Sequence, residues 1–226
     1  MKIGLISDVH ANLPALETVL DDMPAVDRIY CAGDVVGYNP WPAECVERVR
    51  EVAAATVRGN HDRTVETPER YSANRMAEAG LERAKASLSD EQREWIGALP
   101  RAETFAGDRY LLVHSHPAAE REDAYVYPEE FPNLDRHMNG YDGVVLGHTH
   151  VQGLRGVAGG FVLNPGSVGQ PRDGDPRAGY AVLDTTADGT DAVETYRVEY
   201  DVDRVAEAVR EADLPERTAE RLYEGK

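Results

Sequence analysis

The sequence predicts an α/β fold built on two β-sheets. Three observations lead there. Short apolar runs alternate with helical periodicity over the first sixty residues, and short strands separated by glycine turns fill the C-terminal half. Five apolar runs also end in carboxylate, amide or imidazole side chains, and the ends of strands are where α/β folds place ligands.

Lys2 to Ser7 reads as a strand with Ile3, Leu5 and Ile6 for the core, and Asp8 and His10 emerge at its carboxyl end. Pro14 suits the first turn of a helix running to about Asp22, whose Leu13, Leu16 and Leu20 share one face. Arg28 to Ala32 forms a second strand closed by Gly33-Asp34. A loop through Gly37-Tyr38-Asn39-Pro40-Trp41 leads to a helix near Pro42 with Cys45, Val46 and Val49 inward. Ala55 to Arg58 is the third strand, ending at Gly59-Asn60-His61-Asp62. The run predicts a parallel half-sheet with right-handed crossovers.

From about Ser72 to Leu99 the pattern is helical, with a Ser89/Gln92 capping box and core positions at Leu88, Trp95, Ile96 and Leu99. Strands resume at Glu103–Phe105 and Tyr110–Val113, and His114 follows directly. The acidic, aromatic stretch 117–141 reads either as a lid carrying Tyr125, Tyr127 and Phe131 to substrate or as a helix covering the sheet, cover being preferred. Val144 to Leu146 delivers His148 and His150. Runs at Val151–Arg155, Phe161–Leu163, Tyr180–Leu183 and Val193–Val198 predict a mixed second sheet made largely of hairpins. A helical tail over about 201–226 carries Val202, Val205 and Val209 on one stripe, with a further helix after Pro215. With no repeat and no linker, all 226 residues are read as a single domain.

Composition narrows the function classes. Two cysteines, Cys31 and Cys45, are too few for a disulfide framework. The opening residues enter a strand without a leader pattern, and no apolar run is long enough to cross a bilayer, so a cytoplasmic protein without membrane association is expected. There are 41 acidic residues against 24 basic ones, a net charge of -17, and the only lysines are Lys2, Lys85 and Lys226. This balance predicts a halophilic protein of a salty cytoplasm, and it argues against a nucleic acid polymer as partner. It leaves a homo-oligomer open.

The strand ends carry the chemistry. Asp8, His10, Asp34, Asn60, His61, His114, His148 and His150 all follow apolar runs, and only His116 and His137 of the seven histidines lie elsewhere. Singly each has a plain structural reading: Asp8 as a helix cap, Asp34 as a turn residue, Asn60 as a left-handed turn residue, the histidines as strand-end or surface residues. Those readings do not explain why all follow strands and none lies within a helix. Carboxylate, imidazole and amide oxygen together suit divalent Mn, Fe, Zn, Co or Ni. Two ions need a bridge, for which Asp34, central in sequence order, is the choice. His148 and His150 point the same way on an extended chain, or towards different ions in a tight turn.

The ordered set Asp-x-His, Gly-Asp-x-x-Gly, Gly-Asn-His-Asp, His and Gly-His-x-His resembles the calcineurin-like metallophosphoesterases from Lys2 to about Val198. Within that family it is most similar to the small prokaryotic phosphodiesterases with an Asn-Pro-Gly-Ser turn, here Asn164-Pro165-Gly166-Ser167. The resemblance implies a β-sandwich of two sheets flanked by helices. It implies a first ion held by Asp8, His10 and His150 and a second by Asn60, His114 and His148, with Asp34 bridging and Mn the foremost metal. It also implies that His61 is catalytic, acting on the leaving oxygen while a hydroxide between the ions attacks phosphorus in line.

Two departures refine this. The second motif continues Val35-Val36-Gly37-Tyr38 and lacks the Asp-Arg-Gly of the protein Ser/Thr phosphatases. The fourth motif runs His114-Ser115-His116 rather than His-Gly, which makes His116 a substrate contact or a rival ligand. Arg58, Arg63 and Arg172 are the candidate phosphate clamps, Arg172 on a loop from Asn164 to Arg177 that either borders the pocket or is a rigid hairpin. The expected function is a two-metal phosphoesterase of small phosphodiesters or nucleotides. The alternatives are a metal-dependent nuclease, since double-strand-break repair nucleases share these motifs, and a non-enzymatic scaffold like the retromer subunit of this fold. That subunit lacks the catalytic histidine present here as His61.

Overall fold

The computed structural model describes residues 1–185 and 191–226. Strands β1 (Lys2–Ile6), β2 (Arg28–Cys31) and β3 (Ala53–Thr56) alternate with helices α1 (Leu13–Asp22) and α2 (Pro42–Val52). A short helix α3 (Asn60–Thr64) and two longer ones, α4 (Arg75–Ser87) and α5 (Asp90–Ala98), precede β4 (Ala102–Phe105), β5 (Tyr110–Val113) and β6 (Gly143–Val145). Strands β7 (Gly153–Val157), β8 (Gly160–Asn164), β9 (Ala178–Asp184) and β10 (Ala192–Val198) follow, and α6 (Val202–Glu211) and α7 (Glu216–Glu224) close the chain.

The strands form two five-stranded sheets, ordered β10-β9-β1-β2-β3 and β4-β5-β6-β8-β7. The expected parallel half-sheet β1-β2-β3 is present. The last two strands depart from the sequence reading: β9 pairs antiparallel with β1 and carries β10 to the edge of the first sheet. The second sheet combines hairpins β4-β5 and β7-β8 with parallel pairings β5-β6 and β6-β8. Strand periodicity marks a hairpin but not the edge it joins, which is why the pair was assigned to the wrong sheet.

Alternation along the strands builds three apolar layers. Leu5, Tyr110, Leu112, Ala181 and Leu183 pack between the sheets. Ile6, Tyr180 and Val182 face the outer helices, meeting Leu16, Val46, Val49 and Ile96. Leu111, Val113, Val144 and Val162 face the opposite side, covered by Phe131 and Leu134 of a 3-10 segment Pro128–His137 and by Met138, which follows it. Residues 117–141 therefore divide: Phe131 is fully buried cover, whereas Tyr125 is exposed and reaches the site described below.

Helix starts follow the local chemistry. The Asn12 side chain, rather than Asp8, accepts from Ala15 N–H to cap α1, and the Ser89/Gln92 box is formed in both directions. The third strand lies two residues earlier than expected because α2 runs directly into it. Asn60 and His61 open α3 rather than extending a strand. Leu88, Ile96 and Leu99 are buried as expected, and Trp95 is half-buried.

Candidate metal centre

Five parallel strands deliver their C-terminal loops to one place. The residue after such a strand must turn sharply, and the backbone shows it. Asp8 (φ 52°), His10 (φ 46°), Asp34 (φ 54°), His148 (φ 70°) and His150 (φ 58°) all adopt left-handed conformations that L-residues rarely take. Gly37 shares the region (φ 103°), and a Cβ there would stand 2.4 Å from His61 Nδ1, so the loop after β2 passes directly against that ring.

These turns bring one donor atom each from Asp8, His10 and His150 within 4.8 Å of one another, and likewise from Asp8, Asp34 and His114. Asp34 stands between the groups. Its Oδ2 lies 3.6 Å from His10 Nε2 and 3.4 Å from His114 Nε2, while its Oδ1 accepts the His61 N–H at 2.8 Å. Asn60 directs Oδ1 to His114 Nε2 at 3.0 Å, its amide oriented by donation to the Tyr71 hydroxyl.

The donor set fits divalent cations, and hydrogen bonds outside it say why. His10, His114 and His150 each give Nδ1–H to a backbone carbonyl, of Val36, Ala32 and Gln170 respectively. A carbonyl can only accept, so each Nε2 keeps a lone pair when the ring is neutral. Two such lone pairs, on His10 and His150, face each other at 3.0 Å. His148 has the opposite orientation: its Nε2 donates to Asp123 O at 3.0 Å, which leaves Nδ1 as its free donor atom.

The electrostatics agree. Burial raises the Asp8 carboxyl to about 7, and burial lowers His10 and His150 well below the ordinary imidazole value. Burial also opposes charge on Asp34 and His114, yet each holds the other ionised, Asp34 far below the carboxylate range and His114 up at about 10. A proton on His114 thus supplies the counter-charge that a cation would otherwise bring.

Two supports were not assigned from sequence. Asp62 accepts N–H bonds from Gly59, Asp34, Val35 and Val36, tying the second motif to the third; burial and Asp34 push its carboxyl up to about 6 against those donors. The Asn164–Ser167 turn braces the opposite side. Asn164 donates to Gly147 O and Thr149 Oγ1, and Ser167 Oγ donates to Asp8 O at 2.7 Å.

A cavity of about 250 Å³ opens onto this cluster. Asp34, Asn60, His61, His148, His150 and Arg172 line it, whereas Asp8, His10 and His114 lie behind. His61 sits between the rings of Tyr38 and Tyr71, at 4.8 Å and 4.9 Å, with Nδ1 unpartnered and burial lowering its pKa to about 4. Of the expected substrate contacts only Arg172 reaches the cavity, over the Tyr38 ring at 5.5 Å. Arg58, Arg63 and His116 line a separate, much smaller crevice. Arg58 donates to Gly97 O, Arg63 pairs with Glu122 and Asp123, and His116 packs edge-on against His137. Tyr125 lines the cavity as the lid reading of 117–141 expected, and Tyr38, Tyr71, Asn74, Asp123 and Arg221 complete it without having been predicted. Of these only Tyr38 carried a sequence signal, as the residue after Gly-Asp-x-x-Gly.

Residues 1–188 match the calcineurin-like phosphoesterase superfamily domain. The chain belongs to that superfamily. It is thereby a metal-dependent phosphoesterase, and its two mixed sheets flanked by helices are the family's fold. An uncharacterized protein of Methanocaldococcus jannaschii is 32% identical, the alignment covering 99% of this chain and 98% of that one. The phosphodiesterase YfcE of Escherichia coli is 29% identical over 81% of this chain and 88% of its own. A metallophosphoesterase of Sphaerobacter thermophilus is similar over the full length of both chains, with 35% identity and a TM-score of 0.84. No helix among the described residues is long and apolar enough to cross a membrane.

Proposed function

We propose that the protein is a phosphodiesterase of small phosphodiesters or nucleotides that uses two divalent cations, Mn foremost, shared across Asp34. The observation that carries this reading is the placement of Asp34 Oδ2, within 3.6 Å of both His10 Nε2 and His114 Nε2 on the wall of an open cavity. Asp8, His10 and His150 would hold one cation, and Asn60, His114 and His148 the other. When bound, the cations supply Lewis acidity and neutralise charge on the phosphoryl oxygens. The carbonyls of Ala32, Val36 and Gln170 fix the imidazole orientations, so the donor atoms are aimed in advance. His61 lines the cavity and would face the leaving oxygen through Nε2, since Nδ1 is buried against the Gly37 turn, and there give or share a proton. Arg172 presents its charge at the rim to a phosphoryl oxygen.

The small cavity and the net charge of -17 disfavour long polyanions, and His61 disfavours a purely structural role. A panel of mono- and diesters assayed with Mn, Zn, Co and Ni is expected to show the highest kcat/KM on small diesters. Equal cleavage of duplex DNA at matched salt would replace this reading with a nuclease, and no hydrolysis of any ester with any metal would leave the scaffold.

The acidic surface supports a halophilic, cytoplasmic setting. Its scarce cations are shared, Arg48 between Glu17 and Glu51, Arg50 between Glu47 and Glu91, and Arg75 between Glu78 and Glu82. Much of the carboxylate excess therefore repels across a Debye length of ~30 Å at ~0.01 M salt but only ~3 Å at ~1 M. The melting temperature is expected to rise steeply between dilute buffer and molar KCl. An unchanged midpoint would make the acidic surface incidental.

A further inference from the structure

The C-terminal hairpin of α6 and α7 is more than a cover. Val205, Ala206, Val209, Leu214, Ala219 and Leu222 pack together and seat on Ala79 of α4 and on Trp41, close after the loop that carries Tyr38. At its far end Gly225 caps α7 in a left-handed conformation (φ 62°). A Cβ there would lie 2.6 Å from the Asp175 backbone, and Gly225 O accepts from Gly174 N at 2.9 Å. The hairpin is thus fixed to the loop bearing Arg172, and it presents Arg221 to the cavity.

Two guanidinium groups consequently share one small opening. Neither Arg172 nor Arg221 lies within ion-pair distance of an Asp or Glu side chain among the described residues, in a chain with 41 such residues. Arg172 donates to the neutral Tyr38 hydroxyl and Gln170 amide oxygen. Arg221 donates Nε to the Lys226 backbone oxygen, and its terminal nitrogens have no hydrogen-bond partner among the described residues. Burial and the neighbouring Arg172 charge both lower the Arg221 pKa, so the pair repel each other until an anion arrives. Their positions differ. Arg172 lies 5.5 Å over the Tyr38 ring, which is itself 4.8 Å from the rings of His10 and His61, whereas Arg221 enters the cavity from the docked hairpin.

We propose that Arg221, together with Arg172, forms a subsite for a second phosphoryl group, so that the preferred substrate is a small phosphodiester carrying an additional phosphate. The inference rests on the phosphodiesterase reading for its first phosphoryl group. Arg172 reaches towards the scissile group, and Arg221 takes the outer one through the planar fork that suits phosphate oxygens.

Thymidine 5′-(p-nitrophenyl phosphate) and its 3′-phosphorylated counterpart differ by that one group. Wild-type protein is expected to prefer the 3′-phosphorylated ester, and Arg221→Ala to lower the ratio of the two kcat/KM values about 10- to 100-fold, the scale of one charged hydrogen-bonded contact. Arg221→Lys, which keeps charge without the fork, is expected to fall between. An unchanged ratio in Arg221→Ala would overturn the subsite. Calorimetric titration with thymidine 3′,5′-bisphosphate and thymidine 5′-phosphate reads the subsite without turnover. Tighter binding of the bisphosphate in wild type, lost in Arg221→Ala, supports it whether or not the esters are cleaved; equal affinity in wild type overturns it. Cleavage of neither ester, with that discrimination intact, would count against the phosphodiesterase reading alone.

Discussion

Asp34→Asn is expected to lower kcat/KM on a small diester by on the order of 10³-fold or more, because charge neutralisation at the phosphoryl group contributes several kcal/mol. The substitution preserves size, yet it cannot preserve the contacts. One carboxylate oxygen accepts the His61 N–H at 2.8 Å while the other faces His10 and His114. An amide has only one acceptor, so its NH₂ must point either at the His61 N–H or at the shared position. Retention of both cations should fall together. Asn60→Ala should instead release mainly the cation on the His114 side, since Asn60 touches His114 and not His10. Elemental analysis of the two purified variants beside their kinetics separates these outcomes. Wild-type metal content and rate in Asp34→Asn would reduce Asp34 to a turn residue.

His61→Asn is expected to lower kcat by ~10²–10⁴-fold on a diester with a poor leaving group while metal content stays at the wild-type level. The ring is buried, flanked by two tyrosines, and lines the cavity while its Nδ1 stays unpartnered against the Gly37 turn, a costly arrangement for a residue of purely structural use. Burial holds its pKa at about 4 in the resting site, so the imidazole is neutral there at pH 7. A phosphoryl anion beside it favours the protonated form and raises that value in the complex. A general acid works while protonated, so kcat should decline as pH rises through the raised pKa, and the variant should lose that decline. The deficit should also shrink when the leaving group is already good. An equal deficit on good and poor leaving groups would show that His61 positions rather than protonates.

The candidate centre was legible because its chemistry restricts residue types and its fold restricts places. Carboxylate, amide oxygen and imidazole together suit the ions in question, and strand ends are recognisable as the limits of apolar runs. The parallel half-sheet was legible for the same reason, as was the Ser89/Gln92 cap. What failed was nearness in sequence used as a guide to nearness in space. Arg63 lies two residues beyond His61, but on the helical turn of α3 that is a rotation of roughly 200°, and Arg63 faces Glu122 and Asp123 instead. Arg58 likewise turns to Gly97 O. Arg221 was invisible for the converse reason. On an amphipathic helix 49 positions beyond Arg172 it reads as an ordinary solvated arginine until the hairpin is seen to dock. Residues 117–141 were ambiguous because they do two jobs, with Phe131 under the sheet and Tyr125 stacked on His148 at 4.3 Å.

The central claim is that Asp34 joins two cation positions rather than borders one. Metal-free protein titrated with Mn²⁺, with bound metal counted per chain and the diesterase rate followed in the same samples, tests it most directly. The account predicts two Mn²⁺ per chain at saturation, with full activity reached only as the second position fills. Saturation at a single ion, with no further rise in rate, would contradict it.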